Sequence, residues 1–105
     1  MAKFDWDDGN REKCSRRVPI EEIEALIEDP RTLISGDPYK GETRFRAIGH
    51  NCEGRPVFVV FTMREKDGEH YVRPISARYM HLREIRKYEQ EIARAQKRSS
   101  GGETA

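Results

Sequence analysis

Cysteine, tryptophan and long apolar runs are all scarce in this chain of 105 residues, which has two cysteines and one tryptophan. Cys14 and Cys52 lie far apart. The opening "MAKFDWDDGN" carries acids where a secretion signal has an apolar stretch, so a cytoplasmic chain with reduced cysteines is expected. No apolar run approaches the length of a membrane-crossing helix. The two cysteines and His50, His70 and His81 do not fall at zinc-ligand spacing, so neither a metal nor a cofactor is expected. Hydrophobic residues make up 35% and charged residues 37%, which demands an economical core. The apolar residues are nonetheless clustered, in "IEEIEALI" and "VFVVF", and that argues against a disordered chain. The length suits one domain, expected over residues 1–96, with "KRSSGGETA" as a disordered tail over 97–105.

The net charge of +1 conceals an asymmetry. Residues 1–43 hold seven Lys/Arg against eleven Asp/Glu; residues 44–98 hold thirteen against seven. A basic second half points to a polyanion on one face, or to a dipolar but inert surface.

Local patterns give an α+β order. "KFDW" suits a short first strand. Asp7 suits a helix N-cap, and the helix would reach about Arg17. Pro19 suits the start of a second helix, with Glu21 and Glu22 in its first turn. Ile20, Ile23, Leu26 and Ile27 form its apolar stripe, and Asp29-Pro30 ends it. "RTLIS", "TRFRAIGH", "PVFVVFTM" and "YVRPIS" read as strands, separated by turns in "GDPYKGE", "NCEGR" and "REKDGEH". "PVFVVFTM" is apolar on both faces and therefore central. Pro74 cannot donate to a ladder, so an edge or a bulge is expected there. A long C-terminal helix would run from Tyr79 to Gln96, with Leu82, Ile85, Tyr88 and Ile92 on its inner stripe. The expected fold is a small antiparallel sheet of four to five strands. One face would carry the helices, and the other would turn Arg44 and Arg46 to solvent.

Arg44 and Arg46 share a face of one strand. Arg78 stands at the end of another, two residues after Ser76. If they converge, the result is a cationic surface that can fork onto RNA phosphates. Cleavage of RNA by its own 2′-hydroxyl passes through a phosphorane of increased negative charge, which fixed cations stabilise. The alternative is structural: Ser76 caps the next helix and Arg78 pairs with Glu84. His81, one helical turn past Arg78, could act as an acid or base, or be merely solvated. Arg64 could line the same basin or lie free at a turn. Cys14 and Trp6 read better as core residues than as a nucleophile and a stacking platform. No helix-turn-helix signature is present, and the basic helix also carries the apolar seam, which argues against direct DNA binding.

In order along the chain, "FDWD", "NREK", "VPIEEIEALIEDP", "ETRFRAIG", "VFVVFTMRE" and "RPISARYMHLREIRKYE" resemble the BrnT toxin family, over about residues 3–92. The resemblance implies a RelE-like fold and a type II toxin that cleaves mRNA. It implies a BrnA-like antitoxin as partner, through which operator DNA is bound only indirectly. It places the family's functional residues on Arg44, Arg46, Ser76 and Arg78, with Lys13 and Glu84 as weaker matches. The family's Lys-His-Gly reads Lys13-Cys14-Ser15 here, and "SRRV" stands where "GV" is usual. The alternative is thus a catalytically impaired relative that binds antitoxin and RNA without cutting.

Overall fold

Residues 2–38 and 40–103 are described in the computed structural model. The order is α1 (Asp8–Ser15), α2 (Ile20–Glu28), β1 (Leu33–Asp37), β2 (Arg44–His50), β3 (Pro56–Lys66), β4 (Glu69–Tyr79) and α3 (Leu82–Glu103). The strands form one antiparallel meander in the order β1-β2-β3-β4. Its β3–β4 turn is Asp67-Gly68, both at positive φ, as a two-residue hairpin of matching twist requires.

The first helices pack on one face. Cys14, Val18, Ile23 and Leu26 meet Ala47, Val57, Val59, Phe61, Val72 and Ala77 there. Gly49 lets α2 approach: a Cβ on it would stand 2.9 Å from the Thr32 hydroxyl and 3.0 Å from Leu26. On the opposite face Ile85 of α3 packs with Ile48 and Met80, against Phe58 and Tyr88. The arginine-bearing face is therefore not open to solvent as expected. α3 covers part of it, because Ile48 and Phe58 leave an apolar patch beside the arginines.

Four expectations change. "KFDW" is no strand but a single parallel bridge, Phe4 to Val72, so the sheet has four strands. The last strand, expected to end about Ser76 to Arg78, runs on to Tyr79: Ser76, Ala77, Arg78 and Tyr79 pair with Val60, Val59, Phe58 and Val57, and α3 starts at Leu82 rather than Tyr79. A strand partner thus displaces the capping role considered for Ser76. Leu82 is 58% exposed rather than on an inner stripe; the side chain of Ile92 lies outside the described residues. α3 also extends beyond Gln96 to Glu103, through residues expected in the tail; residues 104 and 105, and Tyr39 of the expected turn, lie outside the described residues.

Pro74 behaves as its chemistry requires. It lies on the edge strand, next to a register shift that leaves Ile75 unpaired. Its carbonyl is met from outside the sheet. The Asn10 side-chain amide donates to Pro74 O at 2.9 Å and to Asp5 O at 3.0 Å. The Asn10 carbonyl oxygen accepts from Asp7 N–H at 2.8 Å, and Asp7 accepts in return from Asn10 N–H at 3.0 Å. One buried side chain thus closes the capping box of α1 and fastens α1 to β4. Asn10→Ala should cost about 3 kcal/mol, combining unmet buried carbonyls with a weakened cap. Urea unfolding checks this, and a loss below about 1 kcal/mol would remove Asn10 from that role.

Candidate active site

Cross-strand register decides which side chains meet. Arg46 opposes Val60, and Val60 opposes Ser76. Ile48 opposes Phe58, and Phe58 opposes Arg78. Opposed residues share a face, so Arg44, Arg46, Ser76 and Arg78 all lie on the α3 side. Sharing a face does not bring them together: Arg46 and Ser76 are two strands apart, about 10 Å.

A cleft of about 350 Å³ opens at the edge of β4, lined by Lys13, Arg16, Arg17, Phe58, Ser76, Ala77 and Arg78. It exists because α1 lies along β4, which holds the end of α1 beside the strand's last residues. Of the residues expected from sequence, Lys13, Ser76 and Arg78 converge here. Arg16, Arg17 and Phe58 were not anticipated. The "SRRV" departure carried a signal for the two arginines, but only the docking of α1 shows where they go.

Arg78 is held from two sides. Its Nη2 donates to Glu84 Oε2 at 3.0 Å and its Nη1 to Glu84 Oε1 at 3.3 Å. Its guanidinium carbon stands 4.9 Å from the centre of the Phe58 ring. A further Nη1 contact reaches Tyr79 O at 3.5 Å. A guanidinium has five N–H groups. Among the described residues the side-on pair, Nε–H and the second Nη2–H, has no partner, and such a fork suits phosphate oxygens. Among the described residues the Ser76 hydroxyl makes no hydrogen bond.

The other expected residues stand elsewhere. Arg46 donates from Nε to Asp37 of β1 at 2.9 Å and lies over the Tyr88 ring. Arg44 and Arg64 share Glu42, at 3.3 and 3.2 Å. His81 is exposed at the start of α3 and lines a separate cavity with Leu82, Arg83, Glu84 and Arg86. Cys14 is fully buried among core residues and does not line the cleft, and burial pushes its thiol pKa up. Trp6 packs against the core and donates from Nε1 to Glu24 at 3.0 Å.

Among the described residues no three His, Cys, Asp or Glu side chains group as metal ligands, and no helix is long and apolar enough to cross a membrane. The arrangement sets several cations together at one edge of the sheet. Residues 6–84 match the family described as "Ribonuclease toxin, BrnT, of type II toxin-antitoxin system", and the chain belongs to that family. No curated protein matches the chain.

The clamp on Arg78 has an acid-side signature. The Arg78 hydrogen bonds hold the Glu84 carboxyl below its ordinary 4.5, with help from the His81 N–H. A depressed carboxyl keeps its contact above its ordinary pKa and loses it as pH falls through the depressed value. Arg78→Ala should therefore return the Glu84 pKa toward 4.5, read by carboxyl NMR titration. An unchanged Glu84 titration would mean that the pair does not form in solution.

Proposed function

We propose that this chain is a metal-independent endoribonuclease of RelE-like fold, acting on mRNA in the cytoplasm and neutralised by a BrnA-like antitoxin. Operator DNA would be reached only through that antitoxin. The observation that carries the reading is the convergence of Lys13, Ser76 and Arg78 in one cleft, with Glu84 tethering Arg78 from outside the described lining. Family membership supports the reaction class.

The mechanism follows from the charges. The 2′-oxygen of the substrate attacks the adjacent phosphorus and its proton passes to water. The 5′-oxygen leaves and takes a proton from the Lys13 ammonium. The products are a 2′,3′-cyclic phosphate and a 5′-hydroxyl. Negative charge grows on the phosphoryl oxygens along this path, so the open fork of Arg78 binds the transition state more tightly than the substrate. Ser76 donates its hydroxyl to a phosphate oxygen. Glu84 keeps Arg78 in position; being held well ionised, it is a weak base and a good tether.

Arg44 and Arg46 have supporting roles in this scheme. Each is about four-fifths shielded and tied to an acid, at the far side of the same face. In this scheme they lie along the route by which RNA arrives, with their charges largely offset by Glu42 and Asp37. The burial of Cys14 favours an active enzyme over an impaired binder, because a residue replaced inside the core takes nothing from the cleft.

Arg78→Ala should lower cleavage about a hundred- to a thousandfold, the loss found when one oxyanion donor is removed, while fold and antitoxin binding remain. Arg78→Lys should recover only part, since an ammonium cannot fork. A folded Arg78→Ala protein that cuts RNA at the original rate would exclude Arg78 from the reaction.

A further inference from the structure

The scheme above uses Lys13, Ser76 and Arg78 and leaves two cations of the same cleft without a task. Arg16 and Arg17 follow α1 directly, and their turn is pinned. Cys14 and Val18, on either side of it, are both fully buried. The N–H groups of Arg17 and Val18 both donate to Cys14 O, at 3.2 and 3.1 Å, and Arg16 N–H donates to Glu12 O at 3.3 Å. With Cys14 and Val18 held in the core, the residues between them project outward, and both arginines reach the cleft wall.

Their charges are also less committed than those of the sheet. Arg44, Arg46, Arg64, Arg73 and Arg78 each pair with a carboxylate. Arg17 and Lys13 have no carboxylate partner among the described residues. Arg16 pairs with Glu12 at 2.7 Å, but both side chains are about 70% exposed, and such a pair is easily exchanged for another anion. Among the described residues the lining thus holds four cations and no acid, Glu12 and Glu84 reaching Arg16 and Arg78 from beside it. A strand of RNA presents phosphates in series, so when one meets Arg78 its neighbour falls along the cleft wall.

We infer that Arg16 and Arg17 form a second phosphate subsite, which takes the phosphodiester next to the scissile one. The identity of the polyanion rests on the ribonuclease reading; the existence of the subsite does not require that the RNA be cut. An acidic protein segment is the competing occupant. RNA is favoured because the subsite is continuous with Ser76 and Arg78.

The test has a binding arm and a cleavage arm. In the first, a uniformly 2′-O-methylated RNA oligonucleotide, which cannot be cut, is titrated at rising salt. For a single strand, each phosphate left without its cation lowers the slope of log affinity against log salt by about 0.7. Arg17→Ala should lower it by that amount, and Arg16→Ala/Arg17→Ala by about 1.4. Across a fourfold rise in salt the affinity loss then shrinks by about 2.6-fold and about sevenfold. Arg17→Lys should keep the slope, and thermal unfolding of each variant should match the wild type, because both side chains are exposed.

In the cleavage arm, the double variant should raise KM for an oligonucleotide with kcat unchanged. It should cut a dinucleoside monophosphate, which has no second phosphate, as well as the wild type does. An unchanged salt slope in the double variant overturns the proposal. So does an equal loss on the dinucleoside monophosphate, which would place the arginines at the scissile phosphate. So does unaltered RNA binding with weakened binding of a poly-glutamate peptide. If the wild type cuts neither substrate but the slopes change as stated, the subsite stands and the ribonuclease reading falls.

Discussion

The cleft depends on how α1 is fastened to the edge of β4, and that fastening runs through Asn10. An edge strand offers unpaired carbonyls, and Pro74, with no N–H of its own, interrupts the ladder just where a fifth strand could have continued. The Asn10 amide supplies the missing donor, while its oxygen closes the cap of its own helix. Arg73 adds a second tie, donating to Asp5 at 3.3 Å and to Asp7, the cap residue, at 2.7 Å. With its start fixed in this way, an eight-residue helix can only end beside Ser76 and Arg78. The same contacts that stabilise the sheet edge therefore place Lys13, Arg16 and Arg17.

Charge on the arginine-bearing face is arranged by pairing. Toward β1 and β2, cations are matched by Asp37 and Glu42 and largely shielded. At the β4 edge the balance tips: Arg78 keeps an open fork beside three cations from α1 and the turn after it. Its tether, Glu84, belongs to α3, so the position of the guanidinium reports the docking of that helix. Phe58 contributes a flat apolar face beneath it, which limits the guanidinium to one plane. The proposed chemistry draws on that preorganisation.

Much of this was legible in the sequence. Parity along "TRFRAIGH" put Arg44 and Arg46 on one face, and the two-faced apolar run "PVFVVFTM" located the central strand. Pro74 forecast an edge or a bulge, and both are present. Two kinds of information were not legible. Strand ends depend on partners: Tyr79 looked like the first residue of the helix because nothing local signals that Val57 lies opposite it. Depth in the fold depends on packing: the alternation that paired Arg44 with Arg46 cannot reveal that α3 covers part of their face. Arg16 and Arg17 escaped notice for a third reason. A short basic turn has no periodicity, and only the docking of α1 shows that it lines the same cleft as Arg78.

The most direct measurement is the chemistry of the cut ends. Purified protein, incubated with a defined RNA oligonucleotide in the presence of a chelator, should release fragments that end in a 2′,3′-cyclic phosphate and begin with a 5′-hydroxyl, as mass spectrometry can read. Those ends follow from attack by the neighbouring 2′-oxygen with cations alone stabilising the phosphorane. Intact RNA under these conditions, or fragments with 3′-hydroxyl and 5′-phosphate ends that form only when a divalent metal is restored, would contradict a cleft that works through Arg78 and Lys13.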